Sequence, residues 1–314
     1  MRELRIRPIA HKPVPHDPGA HLQVQILVAG VLGQPQVQTR HYSLVGEPDG
    51  EHYRIAVKRQ DDGRGGSLAM WRLAAGDRLV VSAPQNHFPL DTRAPDYLLV
   101  AGGIGITPMV MMAQRLAARG APVRMIYSAR SAAELAFAEE LKPVLGDRLG
   151  LHAGDRGEHA DLAAAIDGLA DGGLLYTCGP VPMLDAIKLA WSRAGRPQQD
   201  LRFETFGSGG SHAAQEFAVH VPRHGLQITV PVGSSLLETL EHHGIEAVSD
   251  CRRGECGLCT LDVLSLDGEI DHRDVFLSDE EKHSNTRICA CVSRVVGSIT
   301  LDTSYRPDTL PTHA

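Results

Sequence analysis

Cys251-Arg252-Arg253-Gly254-Glu255-Cys256-Gly257-Leu258-Cys259 decides how the C-terminal part of this chain is read. Its three thiols stand at C-x4-C-x2-C spacing, and Cys289 and Cys291 follow later in the chain. That spacing is the plant-type 2Fe–2S arrangement, in which one loop wraps three thiolates around the cluster and a distant strand returns the fourth. Gly254 and Gly257 suit a backbone that turns tightly and comes close to the inorganic sulfides, where a Cβ would collide. A zinc site is one rival, but zinc takes paired C-x2–4-C knuckles, and Cys289 and Cys291 stand too close together to make the second. Buried cysteines without a metal are the plainer rival, and the spacing is far more specific than a lone glycine motif. For the fourth ligand Cys291 is preferred: it meets the strand expected at Ser298–Asp302 without a gap, whereas Cys289 would need two extra residues.

Length and composition frame this motif. A chain of 314 residues has room for two or three domains. With 22% charged and 43% hydrophobic residues it reads as a soluble globular protein, and no apolar run is long enough to span a bilayer. The N-terminus lacks a signal-peptide pattern. Five of the six cysteines lie from Cys251 onward, which points to a metal site in a reducing compartment, and hence the cytoplasm, and not to a disulfide framework. Between Glu216 and Asp302 there are 15 acidic and 7 basic side chains, a net of −8 against −7 for the whole chain. The acidity therefore belongs to the cysteine-bearing segment. Such a face favours solubility or a basic protein partner and disfavours nucleic acid.

Residues 1–93 read as strands. Leu22–Val28, Tyr53–Val57 and Arg78–Ser82 alternate apolar and polar residues, and glycine-rich turns separate them; an antiparallel barrel follows. Two stretches here carry chemistry. Arg40-His41-Tyr42-Ser43-Leu44 offers a cation and two hydroxyls on one extended segment, with Tyr42 and Ser43 on opposite faces. Gly63–Ser67 is a run of nearly bare backbone amides around Arg64, suited to a phosphate. Each is weak alone.

After Ala94-Pro95 the pattern changes. Tyr97–Ala101 is continuously apolar, as in a parallel strand covered on both faces. It runs into Gly102-Gly103-Ile104-Gly105-Ile106-Thr107-Pro108 and a helix over Met109–Arg119, a strand–turn–helix anion site. Further strands are expected at Val123–Ser128 and Leu174–Tyr176, and helices at Ala132–Leu145, Leu162–Leu169 and Met183–Arg193. Ligands of such sheets bind at the carboxyl ends of the strands, so the Gly102–Pro108 turn and Cys178-Gly179-Pro180 can face one crevice. Residues 94–207 form this domain, 208–215 a flexible linker, 216–304 the last domain and 305–314 a tail. The last domain opens with strands Phe217–Val221 and Gln227–Val230 and a helix over Ser235–His242.

In combination these motifs resemble the phthalate dioxygenase reductase and vanillate O-demethylase reductase family over nearly the whole chain. The resemblance rests on Arg40–Leu44, Ala56-Val57-Lys58-Arg59, Gly63–Ser67, Gly102–Pro108, Cys178–Pro180 and the cysteine loop in that order. Asp271-His272-Arg273-Asp274 and Cys291-Val292-Ser293-Arg294 are similar to the family's ferredoxin end. The implied fold is multidomain: an FMN-binding antiparallel β-barrel, an α/β parallel-sheet NADH domain and an α+β, β-grasp ferredoxin domain. The implied roles go by position. Arg40, Tyr42, Ser43, Val57 and Lys58 would hold the FMN ring and ribityl chain, with Gly65, Gly66 and Ser67 on its phosphate. Thr107 and Phe206 would lie near the flavin. Gly103, Gly105, Cys178, Gly179 and Pro180 would line the nicotinamide crevice; Cys178 has a bland alternative as a small buried residue. Cys251, Cys256, Cys259 and Cys291 would hold the cluster. There is one departure: the family has a further strand ahead of the segment matching Leu4–Pro8, so either the true start lies upstream or the barrel lacks an edge strand, and the latter would put closure and flavin retention in question.

The resemblance implies a reductase that takes electron pairs from NADH and releases single electrons to a terminal Rieske-type oxygenase or O-demethylase. No side chain is required as acid or base, so no catalytic residues are assigned. A monomer is expected. Alternatives are a reductase for a cytochrome P-450 or diiron oxygenase, and a redox-sensing iron–sulfur flavoprotein. NADPH would call for arginines at the adenosine end, which Arg130 or Arg156 would supply.

Overall fold

The structure is a computed structural model, and it describes residues 1–29, 35–61, 65–206, 212 and 215–303. The chain packs as two compact units, Met1–Phe206 and Gly207–Ala314. The expected linker lies almost wholly outside the described residues, as do the tail and, in the expected phosphate loop, Gly63 and Arg64.

The first unit holds three sheets, two antiparallel ones that form the barrel half and one parallel. Strands β1 (Arg2–Ile6), β2 (Ala20–Ala29), β3 (Pro35–Ser43), β4 (Tyr53–Val57), β5 (Val80–Val81) and β6 (Gln85–Asn86) are antiparallel. β1 pairs with β4, a bridge from Leu44 to Ile55 links the end of β3 to β4, and β2 carries β3 on one side and β5 and β6 on the other. The alternation read in β2 turns Leu22, Val24, Ile26 and Val28 into a core with Leu44, Tyr53, Ile55 and Val57. A short helix, α1 (Gly66–Arg72), adds Met70 to that core. Glycine content hides α1 from a sequence reading, which gives a loop there.

This barrel is not closed among the described residues. The outer edges of β1 and β5 are unpaired, and a trench of about 1190 Å³ runs between them, walled by Leu4, Ile6, Arg7, Arg78, Leu79 and Val81. Leu4, Ile6, Leu79 and Val81 are consequently only partly buried.

The third sheet is parallel throughout, in the order β11-β10-β7-β8-β9. Its strands are β7 (Tyr97–Gly102), β8 (Val123–Ala129), β9 (Leu149–Ala153), β10 (Leu174–Cys178) and β11 (Leu201–Glu204). Helices α2 (Thr107–Ala118), α3 (Ala138–Leu145), α4 (Leu162–Asp167) and α5 (Val181–Arg193) accompany it. Every residue of β7 and β10 is buried, as a continuously apolar central strand requires. The helix expected over Ala132–Leu145 is broken: Ala132–Glu134 makes a 3-10 turn, Phe137 takes a left-handed φ of 63°, and α3 starts after it. Phe137 thereby places its ring 5.2 Å from the Arg54 guanidinium of β4. Arg54 also pairs with Glu140 of α3, and Glu47 with Arg115 of α2, so ion pairs link the barrel half to the layer of the parallel sheet. Val45, Ala56 and Phe88 join the core of the parallel sheet, which makes Met1–Phe206 one packed body.

The second unit is a five-stranded sheet in the order β13-β12-β16-β14-β15. Here β12 is Phe217–Val221, β13 Leu226–Val230, β14 Thr260–Asp271, β15 Arg287–Cys289 and β16 Arg294–Asp302. Helix α6 (Leu236–His242) starts on a capping box: Ser235 accepts from the Glu238 amide, and Glu238 accepts from the Ser235 amide. The same device starts α7 (Asp279–Ser284), with Ser278 and Glu281.

Candidate functional sites

The two glycine turns expected to share a crevice do meet. Cys178 ends β10 beside Ala101 of β7, and Gly103–Ile106 coils directly after β7. An ideal Cβ on Gly105 would lie 2.1 Å from the Cys178 carbonyl oxygen, so only glycine lets the backbones touch. Gly102 likewise has Pro180 Cδ 2.6 Å from where its Cβ would stand, and Gly179 has Met183 Cε at 2.3 Å. Gly103, at φ 55°, is open on its Cβ side, and the Tyr127 hydroxyl donates to its carbonyl at 3.2 Å. Burial pushes the Tyr127 phenol upward, so it stays a donor. Thr107 begins α2, is buried, and donates its hydroxyl to the Ile104 carbonyl at 3.0 Å. The result is a pair of bare backbone turns at the carboxyl ends of adjacent strands, open to a planar or anionic ligand. The sequence reading missed Glu204. It is buried at the end of β11 and stands level with Cys178 in the register, placing a carboxyl at the same strand ends. Its clue was the apolar–charged alternation of Leu201-Arg202-Phe203-Glu204, too brief to read as a strand.

In the barrel, Arg40 folds toward the start of α1. An ideal Cβ on Gly66 would be 3.1 Å from Arg40 Nε and 3.0 Å from Ile26 Cδ1, so the arginine covers that turn closely. Its guanidinium also donates to the Thr39 carbonyl at 2.9 Å and to the Gln38 side chain. Gly65 takes φ 79° to start the helix, and the Ser67 hydroxyl is bonded to Gln60. Tyr42 and Ser43 alternate as expected: Tyr42 packs on the barrel core, and burial pushes its phenol up to about 12 against the pull of Arg40. Ser43 is buried. Val57 gives its side chain to the core and its carbonyl to Trp71 Nε1 at 3.1 Å. Lys58 is ion-paired with Glu134 at 2.9 Å, an engagement the sequence did not predict. Phe206 remains 38% exposed where this unit ends.

The thiol loop is built from strained backbone. Arg252, Gly254 and Gly257 all have positive φ, at 53°, 76° and 73°. For Arg252 that conformation costs about 1–2 kcal/mol, and its guanidinium is anchored to Glu241 of α6. Gly254 has no room for a Cβ, which would meet Val292 Cγ2 at 2.7 Å and Asp274 Cα at 2.9 Å; at Gly257 the Phe276 ring intrudes to 2.2 Å. The loop turns its amides onto sulfur: Arg253, Glu255 and Cys256 N–H each donate to Cys251 Sγ at 3.4 Å. Burial raises the Cys251 thiol, and these three amides oppose it. Cys259 lies within hydrogen-bond reach of both Cys289 and Cys291, and their donation lowers its pKa to about 3. Those two are correspondingly pushed upward by Cys259 and by burial.

A polar brace supports the loop from outside. Ser293 accepts from the Arg273 amide and donates to Asp274, both at 3.1 Å; Asp274 also accepts from the Leu277 amide at 2.8 Å. Burial alone would raise the Asp274 carboxyl, but His272, Leu277, Lys282 and Ser293 hold it below the ordinary 3.8. Arg294, buried against the Phe217 ring, donates to the carbonyls of Ser234, Gln215 and Pro231 at 2.8–3.0 Å. Asp271–Asp274 and Cys291–Arg294, two separate motifs in the sequence, are thus one interlocked support.

No three His, Cys, Asp or Glu side chains among the described residues have the spacing of a single-ion site. The donor set fits a 2Fe–2S cluster on its chemistry: soft thiols, amides aimed at sulfur, and glycines where bulk would collide.

Comparison with known proteins agrees. Residues 219–296 match the 2Fe-2S iron-sulfur cluster binding domain and residues 99–150 the oxidoreductase NAD-binding domain. The chain is 38% identical to phenoxybenzoate dioxygenase subunit beta of Ectopseudomonas oleovorans, covering 92% of this chain and 88% of that one. It is 37% identical to the heme-dependent oxidative N-demethylase beta subunit of Ectopseudomonas mendocina, covering 95% and 92%. Among solved structures it is similar to phthalate dioxygenase reductase, described as modular for electron transfer from pyridine nucleotides to a 2Fe–2S centre: TM-score 0.75, 34% identity, 96% of this chain and 98% of that one.

Proposed function

The chain belongs to the phthalate dioxygenase reductase family, and from that membership we propose that it is the reductase component of a multicomponent oxygenase or O-demethylase. It draws electrons from NADH and delivers them through FMN and a 2Fe–2S cluster to a terminal oxygenase, a separate protein. The observation carrying this reading is that one chain holds both the Gly105–Cys178 backbone crevice and the amide-lined Cys251–Cys259 loop. When bound, the flavin accepts electrons in pairs and the cluster passes them singly.

The chain's own residues bind and orient. Gly103, Gly105, Cys178, Gly179 and Pro180 admit the nicotinamide between two backbones. Arg40, Gly65, Gly66 and Ser67 take the FMN phosphate, supported by the guanidinium lying over Gly66. Tyr42, Ser43, Val57, Lys58, Thr107 and Phe206 surround the rest of the flavin, Lys58 after giving up or sharing Glu134. Cys251, Cys256, Cys259 and Cys291 hold the iron. Protons are not required of any side chain. We place the protein in the cytoplasm on its thiols; no described helix is long and apolar enough to cross a membrane. A haem-type acceptor is the second reading, favoured by the N-demethylase relative.

Anaerobic NADH titration of the loaded protein tests the proposal. Flavin absorbance should bleach and then that of the cluster; a protein holding both groups with unchanged spectra refutes it. Pairing the reduced protein with a Rieske-type or a haem oxygenase separates the acceptors by rate.

A further inference from the structure

The cysteine loop is not sealed evenly from solvent. Cys251 and Cys259 are buried, as are Cys289 and Cys291, and Cys256 is the one cysteine of the chain that is only half-buried. Around it the chain turns apolar side chains outward. Leu258 is 51% exposed, Val248 63% and Phe276 44%. They are neighbours in space: Val248 and Leu258 line one small hollow together with Glu246, and the Phe276 ring lies against Gly257, which precedes Leu258. A single exposed apolar side chain calls for no explanation, whereas three joined along one loop make a patch.

The charges around this patch are one-sided. Glu246, Asp279 and Glu280 are exposed close to it in the chain, within a segment that carries a net of −8 from Glu216 to Asp302. The cations of the same stretch are already engaged. Arg252 is paired with Glu241, and Arg253 is buried beside Glu255 at 3.3 Å. Arg273 holds Asp271 at 2.6 Å, and Lys282 donates to the Asp274 carbonyl at 2.8 Å. An apolar centre with a polar rim is the anatomy of a protein contact, and a rim of carboxylates selects a partner face rich in Lys and Arg.

We propose that Val248, Leu258 and Phe276, rimmed by Glu246, Asp279 and Glu280, are the docking surface through which single electrons leave the chain, and that its occupant is a basic face of the terminal oxygenase. This deepens the reductase reading and rests on it. Cys256 is the thiol nearest to solvent, so a partner seated on Leu258 stands beside the exit. The carboxylates set how fast the pair forms, and the apolar centre sets how long it lasts.

The test uses full-length protein loaded with flavin and cluster, NADH as donor, and cytochrome c, a basic protein, as the probe. One electron leaves the cluster for each ferric haem reduced, and no bond is made or broken. Iron, acid-labile sulfide and anaerobic bleaching of flavin and cluster by NADH should match the unmodified protein in every variant. In Val248→Lys with Leu258→Lys, kcat/KM for cytochrome c should fall about tenfold, while Leu258→Met keeps the parental value. Added salt should lower the parental kcat/KM by about tenfold, and Glu246→Lys with Glu280→Lys should flatten that dependence. Isothermal titration of the oxidised proteins with oxidised cytochrome c reads the contact without turnover and should rank the variants in the same order. Parental rates and affinities in both double variants overturn the docking surface and leave the relay standing. Normal flavin bleaching with slowed cluster bleaching in the lysine variant also overturns it, because the patch then serves the flavin and not an outside partner. An unmodified protein whose cluster never bleaches overturns the relay and this surface with it. If the Val248→Lys, Leu258→Lys protein loses iron, the charge-reversed rim decides alone: an unflattened salt dependence overturns the proposal.

Discussion

Replacing Gly105 by alanine should separate nucleotide handling from the rest of the molecule. The added Cβ falls 2.1 Å from the Cys178 oxygen, 2.4 Å from its carbonyl carbon and 2.8 Å from Gly179 N. Non-bonded carbon contacts become comfortable near about 3.5 Å, so the two turns must part by roughly 1 Å. No side chain can swing aside, because all three atoms are backbone and β10 is clamped between β7 and β11. Overpacking of this kind costs about 1–3 kcal/mol, which for a body this size lowers Tm by about 2–12 °C. The larger effect is positional, since about 1 Å of misplacement where reactants are aligned costs about 100-fold in rate. Stopped-flow reduction of the flavin by NADH should therefore slow by about that factor, with flavin and iron content unchanged. Gly120→Ala, just past α2 and outside the crevice, is the matched control: at φ 69° its Cβ meets nothing within 4 Å, so it pays only the left-handed backbone cost of about 1–2 kcal/mol. Gly105→Ala protein reducing its flavin at the parental rate would refute the shared crevice.

Cys291→Ser should lose or convert the cluster while flavin stays bound; retained iron in this variant, combined with loss in Cys289→Ser, would reverse the ligand choice. Acid should weaken the second unit through Asp274. Its carboxyl is held below 3.8 in the fold, so its stabilisation is complete above that value and is lost as pH falls through the folded pKa. Thermal unfolding monitored by the cluster's circular dichroism should show this loss below about pH 4, and Asp274→Asn should flatten it at the expense of overall Tm. Arg294→Ala should destabilise the same unit by about 1–3 kcal/mol for each carbonyl left buried without a donor, because three carbonyls lose one buried side chain; Arg294→Lys should not restore it, lacking the planar fork.

What the sequence disclosed followed from how local each signal was. The apolar run Tyr97–Ala101, the alternation of Leu22–Val28 and the capped helix at Ser235 each announce themselves within a few residues, and each stands where expected. The touching of Gly105 and Cys178 was foreseeable because strand ends of a parallel sheet share a rim. Elements set by tertiary contacts stayed hidden. Helix α1 begins with two glycines and is stabilised by Met70 in the barrel core. Phe137 breaks a helical pattern in order to meet Arg54. β14 runs twelve residues with a bulge near Val263 and a glycine at φ 117° that fits only against Val296. The Asp274–Ser293 brace needed pairing across the sheet to become visible, although both motifs had been noticed. Lys58 shows the opposite limit, since its partner Glu134 lies in another layer and no local pattern names it.

The open flank of the barrel also governs the order in which that domain comes apart. β1 is held on one side alone, by β4 and by the Arg2 guanidinium reaching the carbonyls of Trp71 and Leu73. Solvent along the slit wets Leu4 and Ile6, so peeling this strand forfeits less apolar contact than removing any inner one. Amide protons of Arg2–Ile6 should therefore exchange by partial opening well before those of β2, and a protease will find its first foothold in this domain at that seam.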